Sequence, residues 1–429
     1  MPQYPAYRLS NGLTVVVIDS PRHHQVLISL MVRVGSRFES PGENGASHFL
    51  EHMLFRGNSR FPDTDSLNRA FEDAGGLLQA HTGVEDTTFS FVVHPERLDH
   101  GLDCLSVFVR EPTFPDLDKE REILLEELQY DYNEHGQLTN LAILGGQLMW
   151  PDHPLGQSVG GDPARVGLLT RESLRSHHAR YYTPDAMVLS LAGPVRLDSV
   201  RPLVERHFGG GWVPSALSRT APVPAPPGHG AGPLKKSVLD ADNQFHLQLS
   251  YPAPGYNHPQ ELGVNFLMRT LDDGPTSRLQ RVIREDAALV YHIGADYSGY
   301  WDTGVVDIAT SVRAERLGPL LEHLAEVIRE FRAQGPTPDE VERARLRYRY
   351  ALEFSRDSLS DAVDRHAWPL LFSTVRTEEE ELQQVQALTR DDLAGLAKSL
   401  FRREHLHLAV VGPLDPDSEA LLNRALEIF

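Results

Sequence analysis

The sequence predicts an α+β protein built from two homologous domains. Strand-like and helix-like runs alternate without the glycine-rich turns of a doubly wound parallel sheet. Residues 214–233 read PSALSRTAPVPAPPGHGAGP, with no apolar periodicity, as an extended linker does. The flanking pieces, 1–213 and 234–429, repeat one another in order. Leu169-Thr170-Arg171-Glu172-Ser173-Leu174 matches Leu388-Thr389-Arg390-Asp391-Asp392-Leu393, and Ala192-Gly193-Pro194 matches Val411-Gly412-Pro413 at the same spacing. His48 to Leu54 lies over Asn265 to Leu271. Three matches in order at nearly constant spacing indicate an internal duplication. The later copy keeps the apolar residues Phe266, Leu267 and Leu271. It carries Asn265, Met268 and Arg269 where the first has His48, Glu51 and His52. That places the chemistry in the first copy.

Leu13–Ile18 and Val26–Val32 are rich in β-branched residues and read as strands. Gly45–Phe55 and Thr64–Ala74 read as helices. His81–Val93, dense in Thr, Phe and Val, reads as one strand. Leu117–Tyr132 reads as a helix, Met187–Leu191 as a strand, Arg316–Arg332 and Asp339–Phe354 as helices, and Leu406–Val410 as a strand.

Composition narrows the function. The chain has 429 residues, room for two or three domains at about 150 residues each. A formal charge of −19 argues against coating nucleic acid or an anionic membrane. Cys104 is the sole cysteine, so neither an intrachain disulfide nor a thiolate zinc cluster can form. Its apolar neighbours make it a core residue. No signal-like start and no long apolar run is present, so the expectation is a cytoplasmic protein with no membrane partner.

The sharpest signal is His48-Phe49-Leu50-Glu51-His52. On a helix, residues four apart share a face, so both imidazoles can reach one ion, with Glu51 beside them. Two imidazoles and a carboxylate suit zinc, the carboxylate serving as base to water. The order inverts the commoner zincin string. A catalytic zinc needs a third protein ligand. The helix from Leu117 offers Glu120, Glu122, Glu126 and Glu127. Helical phase puts Glu120, Ile123, Leu124 and Glu127 together and sends Glu126 to solvent. A buried Glu127 would need a partner such as a metal, and Glu120 could hydrogen-bond a ligand histidine. Pairing of both to arginines is the competing possibility. The histidine pairs His23-His24 and His177-His178 lack acidic partners at ligand spacing and read as solvated or structural.

These residues resemble the pitrilysin/insulinase metallopeptidases and the mitochondrial processing peptidases. The likeness extends through Gly75-Gly76-Leu77-Leu78-Gln79-Ala80-His81-Thr82, Glu85-Asp86-Thr87-Thr88-Phe89, His153-Pro154-Leu155-Gly156 and Tyr182-Thr183-Pro184, and into the second half. It implies two domains of the processing-peptidase-like metallohydrolase fold and zinc on His48, His52 and Glu127. It makes Glu51 the general base and Glu120 a hydrogen-bond partner to a ligand. Gly274-Pro275-Thr276-Ser277-Arg278-Leu279, then Arg284 and Tyr291, is similar to the family's arginine–tyrosine pair, which hydrogen-bonds the substrate carbonyl. If helical, these two residues point the same way.

The resemblance also implies that extended peptide adds as a strand beside Gln79 and Ala80. Gln79 stands where the family usually has Asn. Two short chains usually pair as a clamshell, the arginine–tyrosine pair of one approaching the zinc of the other, so the expectation is a homodimeric zinc endopeptidase. The contrasting expectation, a catalytically silent scaffold subunit, predicts a disrupted HxxEH, which this chain does not show.

Overall fold

The computed structural model describes residues 4–212, 232–372 and 376–429. The first sheet contains β1 (Ala6–Arg8), β2 (Thr14–Asp19), β3 (Val26–Val32), β4 (Gln79–Thr82), β5 (Thr87–Val93) and β6 (Met187–Gly193), in the order β1-β2-β6-β3-β5-β4. The second contains β7 (Leu234–Leu239), β8 (Gln244–Ala253), β9 (Ile293–Gly299), β10 (Gly304–Arg313) and β11 (His407–Gly412), in the order β7-β11-β8-β10-β9. The two orders match strand for strand once β1 is set aside. In each sheet a single parallel pair, β2–β6 or β7–β11, adjoins an antiparallel remainder. The duplication read from sequence is thus a duplication of topology.

The strand pattern follows side-chain alternation. In β5, Thr87, Phe89, Phe91 and Val93 are buried while their neighbours are less so. β6 is buried on both faces and carries a near-continuous apolar run. The strand expected over 81–93 is instead a hairpin, β4 and β5, because Gly83 N–H bonds the Asp86 carbonyl and turns the chain. β4 ends the sheet and pairs with β5 alone.

The early helices of the first domain are α1 (Ala46–Leu54), α2 (Thr64–Glu72), α3 (Leu98–Arg110) and α4 (Leu117–Leu128), of which α1 and α4 carry its candidate chemistry. The apolar residues of α1, namely Phe49, Leu50, Met53 and Leu54, are fully buried in the first core. Cys104 of α3 is buried there too. α4 is shorter than its predicted 117–132 span, since a 3-10 turn takes over at Gln129–Asp131.

The chain forms two compact units that are not contiguous in sequence. One comprises Met1–Leu128, Gln157–Pro224 and Glu353–Thr377; the other comprises Gln129–Gly156, Ala225–Leu352 and Glu378–Phe429. The simple division into 1–213 and 234–429 therefore needs two corrections, and both have a packing cause. The helix Leu141–Met149 packs on β8 and β11, where Gly145 allows close approach to Gln248 and Ser250. The helix Leu359–His366 packs on β2, β3 and β6. Of the expected linker 214–233, only Gly232 and Pro233 lie within the described residues. Among those residues no helix is long and apolar enough to cross a membrane.

In the second sheet Asp307 faces Ser250 on β8 and Asp296 on β9. Its Oδ1 accepts from the Ser250 hydroxyl and from Gln248 Nε2. Burial pushes the carboxyl up to about 6, with Asp296 adding to the rise and the two donors opposing it. A raised carboxyl favours the protonated folded state, so the penalty is absent well below pH 4, grows between about pH 4 and 6 and is constant above. Asn keeps the acceptor for both donors and removes the charge. Asp307→Asn should raise the melting temperature at pH 8, by a gain on the order of 1–2 kcal/mol, and leave it nearly unchanged at about pH 3. Calorimetric melting at the two pH values checks this.

Candidate metal centre

α1 begins at Ala46 and holds His48 and His52 one turn apart, their rings edge to face with centroids 4.7 Å apart. α4 brings Glu127 to them. Its Oε1 lies 3.7 Å from His48 Nε2 and its Oε2 lies 3.5 Å from His52 Nε2. One donor atom from each of the three residues falls within 4.8 Å of the others. Tetrahedral zinc ligands at about 2.0–2.1 Å from the metal stand roughly 3.4 Å apart, so the donor set fits such an ion in both spacing and chemistry.

The other ring nitrogens explain why both Nε2 atoms face Glu127. His52 Nδ1 is 2.9 Å from Glu120 Oε1. His48 Nδ1 is buried beside the backbone of Gly160. Burial dominates there, reinforced by His52 and His81, and takes His48 down to about 4. His48 is therefore neutral at pH 7, as a metal ligand must be. For His52, burial pulls downward, but the Glu120 bond and the carboxylates of Glu51 and Glu127 outweigh it, and the pKa is raised.

Glu51 stands outside the donor group. It is 9% exposed, and one of its oxygens accepts from the Thr82 hydroxyl at the end of β4. Burial raises its pKa, while Thr82, His52 and His81 pull it back. The sequence reading missed Thr82. Its link to Glu51 spans 31 residues, and nothing local signals it. Arg56 was not singled out, but the arginine pairing weighed for Glu120 is present beside its bond to His52, with Arg56 Nε 2.7 Å from Glu120 Oε2.

Two sequence expectations require correction. Glu127 is not on the buried face of α4, since its side chain is 50% exposed. The buried seam is Glu120, Leu124 and Leu128, and Ile123 is exposed. Glu127 precedes Leu128 by one residue, which swings it about 100° out of that seam toward the histidines. Direction, not burial, separates it from Glu126. The second correction concerns Arg284 and Tyr291, which do not share a helical face. Arg284 lies in a π-helix, Gln280–Asp286, and Ala288 then adopts φ 49°. Tyr291 follows outside any helix, 91% exposed, while Arg284 is partly exposed beside Glu285. Gln79 and Ala80 fall on the free edge strand β4, Gln79 exposed and Ala80 half-buried. His177 and His178 are structural. His177 Nε2 bonds Ser47 Oγ, and His178 Nε2 bonds the Val109 carbonyl.

A repeated α+β fold with a two-histidine, one-glutamate cluster on its first copy defines a metallopeptidase-like architecture. Comparison with known families agrees. Residues 14–158 match the model described as insulinase (peptidase family M16), and residues 168–348 match the M16 inactive domain. The chain belongs to peptidase family M16, as a short bacterial-type member. It is 28% identical over 410 residues to an uncharacterized zinc protease of Bacillus subtilis, covering 95% of this chain and 98% of that one. It is 29% identical over 414 residues to one from Mycobacterium tuberculosis, covering 94% and 92%. Its fold is similar to that of a Helicobacter pylori protease, with TM-score 0.86 at 19% identity over 96% of this chain and all of that one. A Pseudomonas fluorescens structure described as a peptidase M16 inactive domain gives TM-score 0.87 at 18% identity over 96% and 98%.

Both glutamates are exposed, but only Glu127 points at the histidines, which sets up a direct contrast. Glu127→Gln should weaken zinc binding by about 10-fold or more, and Glu126→Gln should leave it near wild type. Metal analysis after dialysis against a graded chelator measures both, and equal retention would remove Glu127 from the donor set.

Proposed function

We propose that the protein is a zinc-dependent endopeptidase that hydrolyses extended peptides or unfolded chains. The observation that carries this reading is the convergence of His48, His52 and Glu127 donor atoms with the Glu51 carboxylate held beside them. The zinc protease names of relatives that align along nearly the whole chain support it.

When bound by these three residues, zinc supplies a Lewis acid that polarises a peptide carbonyl and acidifies water. The residues of the chain do the rest. Glu51, aimed by Thr82 and made more basic by burial, takes the proton of the attacking water and passes it to the leaving amine. Glu120 fixes the tautomer of His52 so that Nε2 presents its lone pair outward. The free edge of β4 at Gln79 and Ala80 offers main-chain groups for an added substrate strand. Arg284 and Tyr291 are donors suited to the oxygen that gains charge, and their exposure supports that role. Pairing of two chains belongs to the same proposal and is supported by the likeness to short members of the family. The silent-scaffold alternative is disfavoured because the positions that lack the His, Glu, His set, Asn265, Met268 and Arg269, lie in the second copy. The inactive-domain description matches residues 168–348, most of them in that copy.

Glu51→Gln separates chemistry from binding. It should retain about one zinc per chain and lose roughly 10²–10⁴-fold in peptide hydrolysis, since proton transfer alone is removed. Turnover of a quenched fluorescent peptide beside metal content reads both, and near-normal turnover would refute the assigned base. Strand addition also predicts selection by flexibility. Unstructured peptides of tens of residues should be cut, while a stable folded domain should survive, because unfolding costs about 5–15 kcal/mol. Mass spectrometry of a digestion series decides, and efficient internal cuts in a native domain would contradict the added-strand mode.

A further inference from the structure

Outside the donor set, one buried carboxylate has no part in the chemistry above. Glu39 is 2% exposed and lies six residues before the start of the metal-binding helix region at Gly45. Gly45 is the N-cap of α1, with φ 93° and no side-chain cap. A Cβ there would come within 2.7 Å of Val166 Cγ2 and 3.0 Å of both Gly160 O and Gly161 Cα. The site therefore demands glycine, and glycine has no oxygen to offer the free N–H groups of the first turn.

Glu39 meets that need from outside the helix. Its Oε1 accepts from Ser47 N–H at 2.7 Å, and its Oε2 accepts from Gly45 N–H at 2.8 Å. Oε2 also accepts from Asn44 Nδ2 at 3.1 Å. An acid at this end of a helix is favoured by the aligned peptide dipoles. Asn44 extends the reach of the device. Its Nδ2 donates to the Ser158 carbonyl at 3.0 Å, and its Oδ1 accepts from Asp162 N–H at 2.9 Å. Those two bonds clamp residues 158–162, and Gly160 within them lies against Nδ1 of His48.

We infer that Glu39 is a positioning residue for the metal centre: it caps α1 from a distance and, through Asn44, seats the segment that orients the His48 ring. The inference rests on the zinc reading above. It makes a specific division of labour. His48 is the third residue of α1 and depends on the first turn, whereas His52 lies a turn further on and is held separately by Glu120.

The test compares Glu39→Gln with Glu340→Gln at pH 8. Glu340→Gln breaks a bidentate pair with Arg278, 2.9 and 2.6 Å, in the second domain and serves as a control for general destabilisation. In Glu39→Gln an amide NH₂ must face N–H donors. Zinc affinity, measured by competition with a chromogenic chelator, should fall about 10-fold or more for Glu39→Gln and stay within about twofold for Glu340→Gln. Amide exchange over residues 45–49 should quicken in the first variant alone. Unchanged affinity in folded Glu39→Gln, or equal losses in both variants, would overturn the inference. Should Glu39→Gln not fold, Asn44→Ala replaces it; that variant should still weaken zinc several-fold, and unchanged affinity there is equally fatal. If the wild-type protein binds no zinc, the zinc reading fails, and amide exchange at 45–49 still decides the capping role.

Discussion

The carboxylate of Glu120 joins the two helices on which the candidate centre depends. One oxygen takes the Nδ1 hydrogen of His52 and the other pairs with Arg56 Nε, while the side chain itself sits in the buried seam with Leu124 and Leu128. A carboxylate so placed is costly unless both oxygens are partnered, and here they are. The same contact fixes α1 against α4 in phase and register. Glu127, seven residues further along α4, then faces the Nε2 atoms, and the raised pKa of His52 follows from the acids around it. The candidate donor set and the placement of Glu51 both inherit their geometry from that one junction.

Much of this was legible in sequence because helical spacing is short-range. Residues four apart on an amphipathic helix must share a face, so His48, His52 and Glu51 could be placed together before any tertiary contact was known. Glu127 was reached by the same rule and by resemblance, yet its burial was misjudged. The apolar seam of α4 is carried by Leu124 and Leu128, and the exposed Ile123 misled the phase. The partners that aim these groups were not legible. Thr82 reaches Glu51 and Glu39 reaches α1 only after the sheet edge and a preceding loop have folded back. The π-helical turn before Tyr291 also defeated a spacing argument, because i to i+7 holds only where the helix is regular. The exchange of two segments between the compact units escaped a linear division for the same reason: their sheets recruit helices by packing, not by order.

The second copy shows what duplication does when chemistry is released. Its helix Glu261–Leu271 aligns with α1 and keeps Phe266, Leu267 and Leu271 in the core. At the positions of the ligands and base, Met268 is buried, and Arg269 pairs with Asp273 at 3.4 Å while lying over the Tyr348 ring. The positions of Glu51 and His52 have become packing and a partly buried ion pair, with no change in strand order. Fold and site therefore vary independently along this chain, and only the first copy keeps the His, Glu, His set.

The central claim is that His48, His52 and Glu127 together hold one zinc ion while Glu51 stays free. Anomalous scattering at the zinc edge from crystals of the zinc-loaded protein tests it most directly. The account predicts one strong peak per chain, about 2.0–2.2 Å from both Nε2 atoms and from a Glu127 oxygen, with Glu51 outside that distance. A peak coordinated by Glu120 or Glu51 in place of Glu127, or located away from α1, would contradict it.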